Sequence, residues 1–235
     1  MRTLGGAGHP SRDAEPEALD WDSALPRWRG TLRWKVERAA KVALDRIGAL
    51  VLLVLLAPVL AVVGVLIRLD SPGSILHPMD WVGYRGRRFR GYKLRTMVVG
   101  ADEKKAELLR YNEMTGPVFK MRNDPRITRL GRFLRRTSLD ELPQLWSVLK
   151  GDMSLVGPRP PMETEYAGFE PWQKLKLAVT PGMTCTWQVS GRSAIARFDE
   201  WIRLDLEYVN GWSFWLDLKL LLKTIPAVLG GRGAG

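Results

Sequence analysis

Asp140 and Glu141 stand side by side in Thr-Ser-Leu-Asp-Glu-Leu-Pro-Gln-Leu-Trp, residues 137–146. Arg132, Arg135 and Arg136 precede them, and Gly151-Asp152-Met153-Ser154-Leu155-Val156-Gly157-Pro158-Arg159-Pro160 follows. An acidic pair alone reads as a solvated helix face. A pair ringed by arginines reads differently, as an acidic catalyst inside a phosphate-binding site. The guanidinium groups would neutralise substrate phosphates, and a carboxylate could attack phosphorus or hold a metal. In Pro158-Arg159-Pro160 two prolines fix the backbone that aims one guanidinium. Lys93, Arg95, Arg135 and Arg159 are the candidate phosphate contacts, each with a surface salt bridge as the alternative. Glu141 also lies three residues after Ser138, the spacing of a capping box. Asp140 is expected to open a helix whose dipole keeps it ionised.

These residues need a scaffold, and an apolar run supplies part of it. From Ile47 to Ile67 the chain carries no charge and is dominated by Leu, Val and Ala. That approaches the ~20 residues that cross a bilayer. Pro58 interrupts it and is expected to bend or break the helix. Lys and Arg crowd both flanks, from Arg33 to Arg46 and from Arg68 to Arg90. Cytoplasmic flanks carry that excess, so both flanks vote for one side. A helix that enters, turns at Pro58 and leaves by the same face satisfies both votes; a proline-kinked span is the alternative.

The 235 residues carry a formal net charge of +11, which suits an anionic partner: nucleic acid, a phospholipid surface or a phosphorylated substrate. Cys185 is the single cysteine, expected as a small buried hydrophobe, and His9 and His77 are too few for a histidine metal site. Ten tryptophans fit either a core or an interfacial belt. The expected fold is α+β and mainly helical, with a re-entrant N-terminal membrane helix, a small antiparallel sheet near 75–95 and interfacial amphipathic helices. Residues 1–27 read as a mobile tail, 28–70 as a basic helix and membrane helix broken at Pro58, 71–230 as the catalytic domain, and 231–235 as a second tail. Helices are expected at 99–111, 127–136, 139–149, 197–210 and 213–228, with Ser190-Gly191-Arg192-Ser193 as a polar loop.

Tyr92-Lys93-Leu94-Arg95-Thr96-Met97, Asn123-Asp124-Pro125-Arg126-Ile127-Thr128, 137–144, 150–160 and Pro181-Gly182 through Trp187-Gln188-Val189-Ser190-Gly191-Arg192 appear in that order. Together they resemble the bacterial sugar transferases, the monotopic phosphoglycosyl transferases, over roughly residues 35–230. The resemblance implies transfer of a sugar 1-phosphate from a UDP-sugar to undecaprenyl phosphate with release of UMP, the first membrane step of exopolysaccharide, capsule, O-antigen or glycoprotein-glycan assembly. It implies Asp140 as nucleophile and Mg²⁺ ligand, Glu141 as its partner, Pro158-Arg159-Pro160 at the nucleotide and Pro58 at the re-entrant break. It implies a bacterial inner-membrane enzyme facing the cytoplasm among membrane phospholipids. UDP-glucose and UDP-galactose are the expected donors, and a homodimer is compatible with it.

Ala57 stands where many relatives have Ser, and Met183-Thr184-Cys185-Thr186 where Ile-Thr-Gly-Leu is usual. Long members carry extra spans before the catalytic part, and none is expected here. The competing readings are a membrane-tethered nucleic-acid-binding protein and a scaffold. No reading module for nucleic acid is recognisable, so none is expected as a partner, and a scaffold leaves the dyad unexplained.

Overall fold

The computed structural model describes residues 19–189, 195 and 197–230. Residues 1–18, the Ser190–Ser193 loop and 231–235 lie outside the described residues. The first helix, α1, runs from Leu32 to Asp70. The Thr31 hydroxyl caps it by accepting from the Trp34 amide. It stays helical through Pro58, so the expected interruption does not end the element. The apolar residues on either side find no better partner for their backbone groups than the helix itself. At the far end, Arg95 Nη2 donates to the carbonyl of Ser71 at 2.7 Å and of Ile67 at 3.4 Å, and Nη1 donates to that of Pro72. One guanidinium therefore ties down the turn that follows α1 and reaches back to Ile67 in its last turn.

Strands β1 (Leu76–Val82) and β2 (Arg88–Leu94) form the expected antiparallel hairpin. Its tip passes through a 3-10 turn, Tyr84–Gly86, with Arg85 left-handed at φ 51°. The helix expected at 99–111 shrinks to α2 (Lys105–Leu108) and a 3-10 turn, Leu109–Tyr111. Helix α3 spans Arg129–Arg136, capped by the Thr128 hydroxyl, which accepts from the Gly131 amide. A Cβ on Gly131 would lie 2.0 Å from the Thr96 carbonyl oxygen, so only glycine lets α3 press against this segment.

The helix expected at 139–149 is two pieces: a 3-10 segment, Leu139–Gln144, and α4, Leu145–Lys150. Pro143 lacks the amide an α-helix would need there. Ser138 sits at φ 55° and its side chain does not cap the segment, so the expected capping box is absent. After β3 (Ser154–Val156) come the single-turn helices α5 (Glu163–Tyr166) and α6 (Pro171–Lys174). Strand β4 (Gly182–Thr184) pairs with β3 in parallel, a second small sheet that the alternation of the sequence did not signal. Helices α7 (Thr186–Val189), α8 (Phe198–Asn210) and α9 (Phe214–Leu229) complete the domain, the last two close to expectation.

The main core gathers Leu145, Val148, Leu155, Val156, Val209 and Leu220 around Ala49 of α1. Val63 and Ile67 of α1 pack instead on Leu94 and Leu134. Residues 19–27, expected within a mobile tail, are partly built in. Trp21–Ala24 forms a 3-10 turn capped by Asp20, Ala24 is buried, and Trp28 stacks on Trp212 at 5.9 Å. Trp201 and Trp212 belong to the core, whereas Trp146 and Trp215 are exposed.

The polar half of α1 docks with helical spacing. Glu37 accepts from the Phe214 amide, Lys41 donates to Asp217 at 2.7 Å and to the Val156 carbonyl at 2.9 Å, and Asp45 accepts from the Leu155 amide. Asp217 is 1% exposed and also accepts from Tyr208 Oη and Trp212 Nε1. Removing one partner of a buried pair leaves an uncompensated charge, at a cost of ~3–5 kcal/mol. Lys41→Met is therefore expected to lower the melting temperature in detergent by roughly 6–20 °C. Adding Asp217→Asn should then cost little more; additive losses in the double variant would show that the pair is not coupled.

Candidate active site

Three elements bring the dyad and its cations together. The 3-10 segment after α3 carries Asp140 and Glu141, β2 carries Lys93, and the loop after β3 carries Arg159. Lys93 Nζ donates to Glu141 Oε1 at 2.8 Å, and Arg159 Nη1 lies 3.5 Å from the same oxygen. Asp140 is buried at 7% exposure beside them. Burial pushes its carboxyl above the ordinary value. The charge of Lys93 pulls it down, Glu141 pushes it up and Arg135 pulls it down again. The expected support from a helix dipole is replaced by these two cations, because the segment that Asp140 opens is a short 3-10 turn.

Arg135 lies half-buried behind the dyad, with Nε donating to Thr96 Oγ1 at 2.9 Å. Its facing charges are Asp140, Asp124 and Glu141. Arg132 and Arg136 are exposed, so the expected ring of four arginines around the dyad reduces to Arg135 and Arg159, with Lys93 added. Arg95 is not at the dyad: the C-terminus of α1 occupies its guanidinium. Pro58 lies within α1, and Pro158 and Pro160 are buried on either side of half-exposed Arg159.

The parallel pairing of β3 and β4 holds that loop. Gly157 N donates to the Thr184 carbonyl at 3.0 Å, and Gly182 N donates to the Pro158 carbonyl at 2.9 Å. A Cβ on Gly182 would stand 2.0 Å from Gly157 N, so two backbones touch where the loop begins. Beneath lies a second cluster, with Trp187 stacked on Trp201 at 4.3 Å and a buried Lys176–Asp205 pair at 2.6 Å. Cys185 is buried with them, as expected, and burial pushes its thiol well up.

Sequence reasoning missed two supports. Asp124 and Arg126, quoted above only within a stretch that carries the resemblance, form a buried fork: Nη2–Oδ2 2.6 Å and Nε–Oδ1 2.9 Å. Burial works against the Asp124 charge, but hydrogen bonds from Arg126 outweigh it and hold the carboxyl below its ordinary value. An Asp and an Arg two apart across a proline is the signal that could have found it. Thr96 carried no signal of its own.

Comparison with known proteins places this geometry. The family model described as bacterial sugar transferase matches residues 36–231. The chain is 48% identical over 195 residues to a galactosyl transferase, CpsE, of Streptococcus agalactiae serotype III, covering 83% of this chain and 43% of that protein. It is 36% identical over 214 residues to the exopolysaccharide production protein ExoY of Rhizobium meliloti, covering 89% and 94%. It is 39% identical over 214 residues to an undecaprenyl-phosphate galactose phosphotransferase of Salmonella typhimurium, covering 89% and 44%. The chain thus spans less than half of two of these relatives and nearly all of the third.

Asp140→Asn removes a charge that burial disfavours. The melting temperature of this variant is expected to equal or exceed that of the parent protein. A fall of several degrees would make the charge a net contributor to the fold.

Proposed function

Because the chain belongs to the bacterial sugar transferase family, we propose that it transfers a hexose 1-phosphate from a UDP-hexose to undecaprenyl phosphate and releases UMP. Galactose or glucose is the proposed hexose, and assembly of an extracellular polysaccharide the setting. The named activities of the relatives support the acceptor and the sugar. The observation that carries the chemistry is the dyad: a buried Asp140 beside a Glu141 that gathers Lys93 and Arg159.

In this reading an Asp140 carboxylate oxygen attacks the sugar-bearing phosphorus. The bond from that phosphorus to the bridging oxygen breaks, and UMP leaves with the electron pair. Asp140 then carries an acyl phosphate with the sugar attached. An oxygen of the lipid phosphate attacks the same phosphorus, and Asp140 departs as a carboxylate. Lys93 and Arg159 sit where negative charge gathers as each phosphate approaches. Arg159 contacts the nucleotide phosphates, and Arg135 acts from behind by holding the charge of Asp140.

The residues also fit Mg²⁺. Among the described residues no three His, Cys, Asp or Glu side chains gather into a metal site. One or two carboxylates completed by substrate phosphates are the ordinary Mg²⁺ arrangement, and Asp140 with Glu141 provides it. Bound there, the ion would supply Lewis-acid stabilisation of phosphate charge.

We further read α1 as re-entrant, bent at Pro58, with the catalytic body at the cytoplasmic face of the inner membrane. Its apolar run is long enough to cross a membrane, yet only 17% of it is buried within the protein. A straight helix of this length would reach about 58 Å. Both of its ends nevertheless bond to one body. Asp22, before α1, pairs with Arg29 at 2.6 Å and also with Arg85, beyond α1. Arg33 and Arg85 are therefore expected on one side of the bilayer. Cysteines at these two positions should react alike with an impermeant label in intact cells, and opposite reactivity would make α1 a true span.

With UDP-hexose alone, the wild type should release at most one equivalent of UMP and gain a hexose phosphate on Asp140 by mass spectrometry. Asp140→Asn should lose both. Arg159→Ala should lower kcat/KM for UDP-hexose by roughly ten- to a hundred-fold, the worth of one charge-assisted contact. An adduct on another residue would overturn the assignment.

A further inference from the structure

A cavity of about 840 Å³ lies between the C-terminal half of α1 and the β1–β2 hairpin. Leu60 and Ala61 line it from α1, Leu76 and Tyr92 from the hairpin, and Pro143 and Trp146 from the segment that follows the dyad. Its size falls within the range of small-molecule pockets, ~300–1,000 Å³. Its lining is apolar apart from Arg68. In water such a groove would be costly to leave open. Along α1, however, it continues into Val62, Val65 and Leu66, which are exposed and would meet hydrocarbon in a bilayer.

The position of the groove identifies its occupant. Strand β2 has two faces here: Tyr92 and Leu94 line the groove, while Lys93 between them bonds Glu141 on the other side. The 3-10 segment Leu139–Gln144 rounds the same edge, carrying Asp140 and Glu141 and, next, Pro143 in the lining of the groove. Exposed Trp146 stands beside Pro143, with the amphipathic ring that favours a membrane–water boundary. A long apolar chain in the groove would thus end beside the cations of the dyad. An anionic head on that chain meets Lys93 and Arg159, a charge match that an uncharged lipid would not use.

We infer that this groove holds the first isoprene units of the acceptor lipid and delivers its phosphate to the dyad, the remaining units staying in the bilayer. The inference rests on the proposed transfer reaction, and it adds that the groove reads the chain of the acceptor rather than its phosphate.

The test uses the full-length enzyme in detergent or nanodiscs. Ala61→Phe and Leu76→Trp fill the groove from α1 and from the hairpin. Exchange of labelled UMP into UDP-hexose requires no acceptor and serves as the control for folding and donor chemistry. For both variants kcat/KM with undecaprenyl phosphate should fall ten-fold or more. With methyl phosphate at high concentration, which has no chain to enter the groove, it should change less than three-fold, and exchange should hold within two-fold. Unchanged use of undecaprenyl phosphate, equal losses with both acceptors, or lost exchange would each overturn the assignment. A benzophenone-bearing polyprenyl phosphate should label the peptide carrying Leu76 or Trp146, and excess undecaprenyl phosphate should suppress it. Labelling by a photoreactive phosphatidylethanolamine that undecaprenyl phosphate does not suppress would mean the groove holds ordinary bilayer lipid. If the wild type shows no exchange at all, the transfer reaction itself fails, and the crosslink alone decides what the groove binds.

Discussion

The Lys41–Asp217 pair is the constraint on which the rest of the architecture depends. It joins three parts that are far apart in sequence: the membrane helix, the start of α9 and, through the Val156 carbonyl, strand β3. Tyr208 and Trp212 close around the same carboxylate, so its buried charge is fully hydrogen-bonded. One residue beyond Val156 the chain becomes Gly157-Pro158-Arg159-Pro160. The register of α1 on β3 therefore fixes where Arg159 begins, while the close approach of Gly157 and Gly182 fixes which way it leaves. Holding α1 against the body and setting the direction of Arg159 are one mechanical problem here.

At the dyad the electrostatics run against simple stability. Asp140 is buried where its charge is disfavoured, and Lys93 and Arg135 only partly offset that. Ser138 lies two residues before it with φ 55°, a conformation that costs an L side chain of order 1 kcal/mol or more. Both features sit within one turn of the proposed nucleophile. A carboxylate that water and partners stabilised fully would be a poor attacker. The surrounding frame, with Gly131 pressed against Thr96 and the Asp124–Arg126 fork behind Arg135, holds the turn in place despite its cost.

Much of this was legible in the sequence because it depends on residue type and short spacing. The dyad, the Pro-Arg-Pro turn, the apolar run and the last two helices all belong to that class. What was not legible depends on competition between distant groups. Arg95 looked like a phosphate ligand, but the carbonyls of the turn after α1 claimed it. Pro143 split a helix whose apolar pattern ran straight through it, and Glu141 left its capping-box spacing for Lys93. Residues 19–27 looked like tail by composition, yet Asp22 found Arg85 and Ala24 found the core. The β3–β4 pairing joins two three-residue strands that are too short to show alternation.

The separation of partners along the chain sets an order of events during synthesis. Arg95 reaches Ser71 across 24 residues, whereas Lys41 must await Asp217, 176 residues later. At ~5–20 residues per second, that second interval is roughly 10–35 s. For that time the lysine on the amphipathic half of α1 has only water, lipid headgroups and Asp45 for company. The trailing half of the helix can be fastened to the hairpin almost as it appears, and the leading half is fastened last. The apolar helix is thus complete long before the last contact that sets its register on β3 can form.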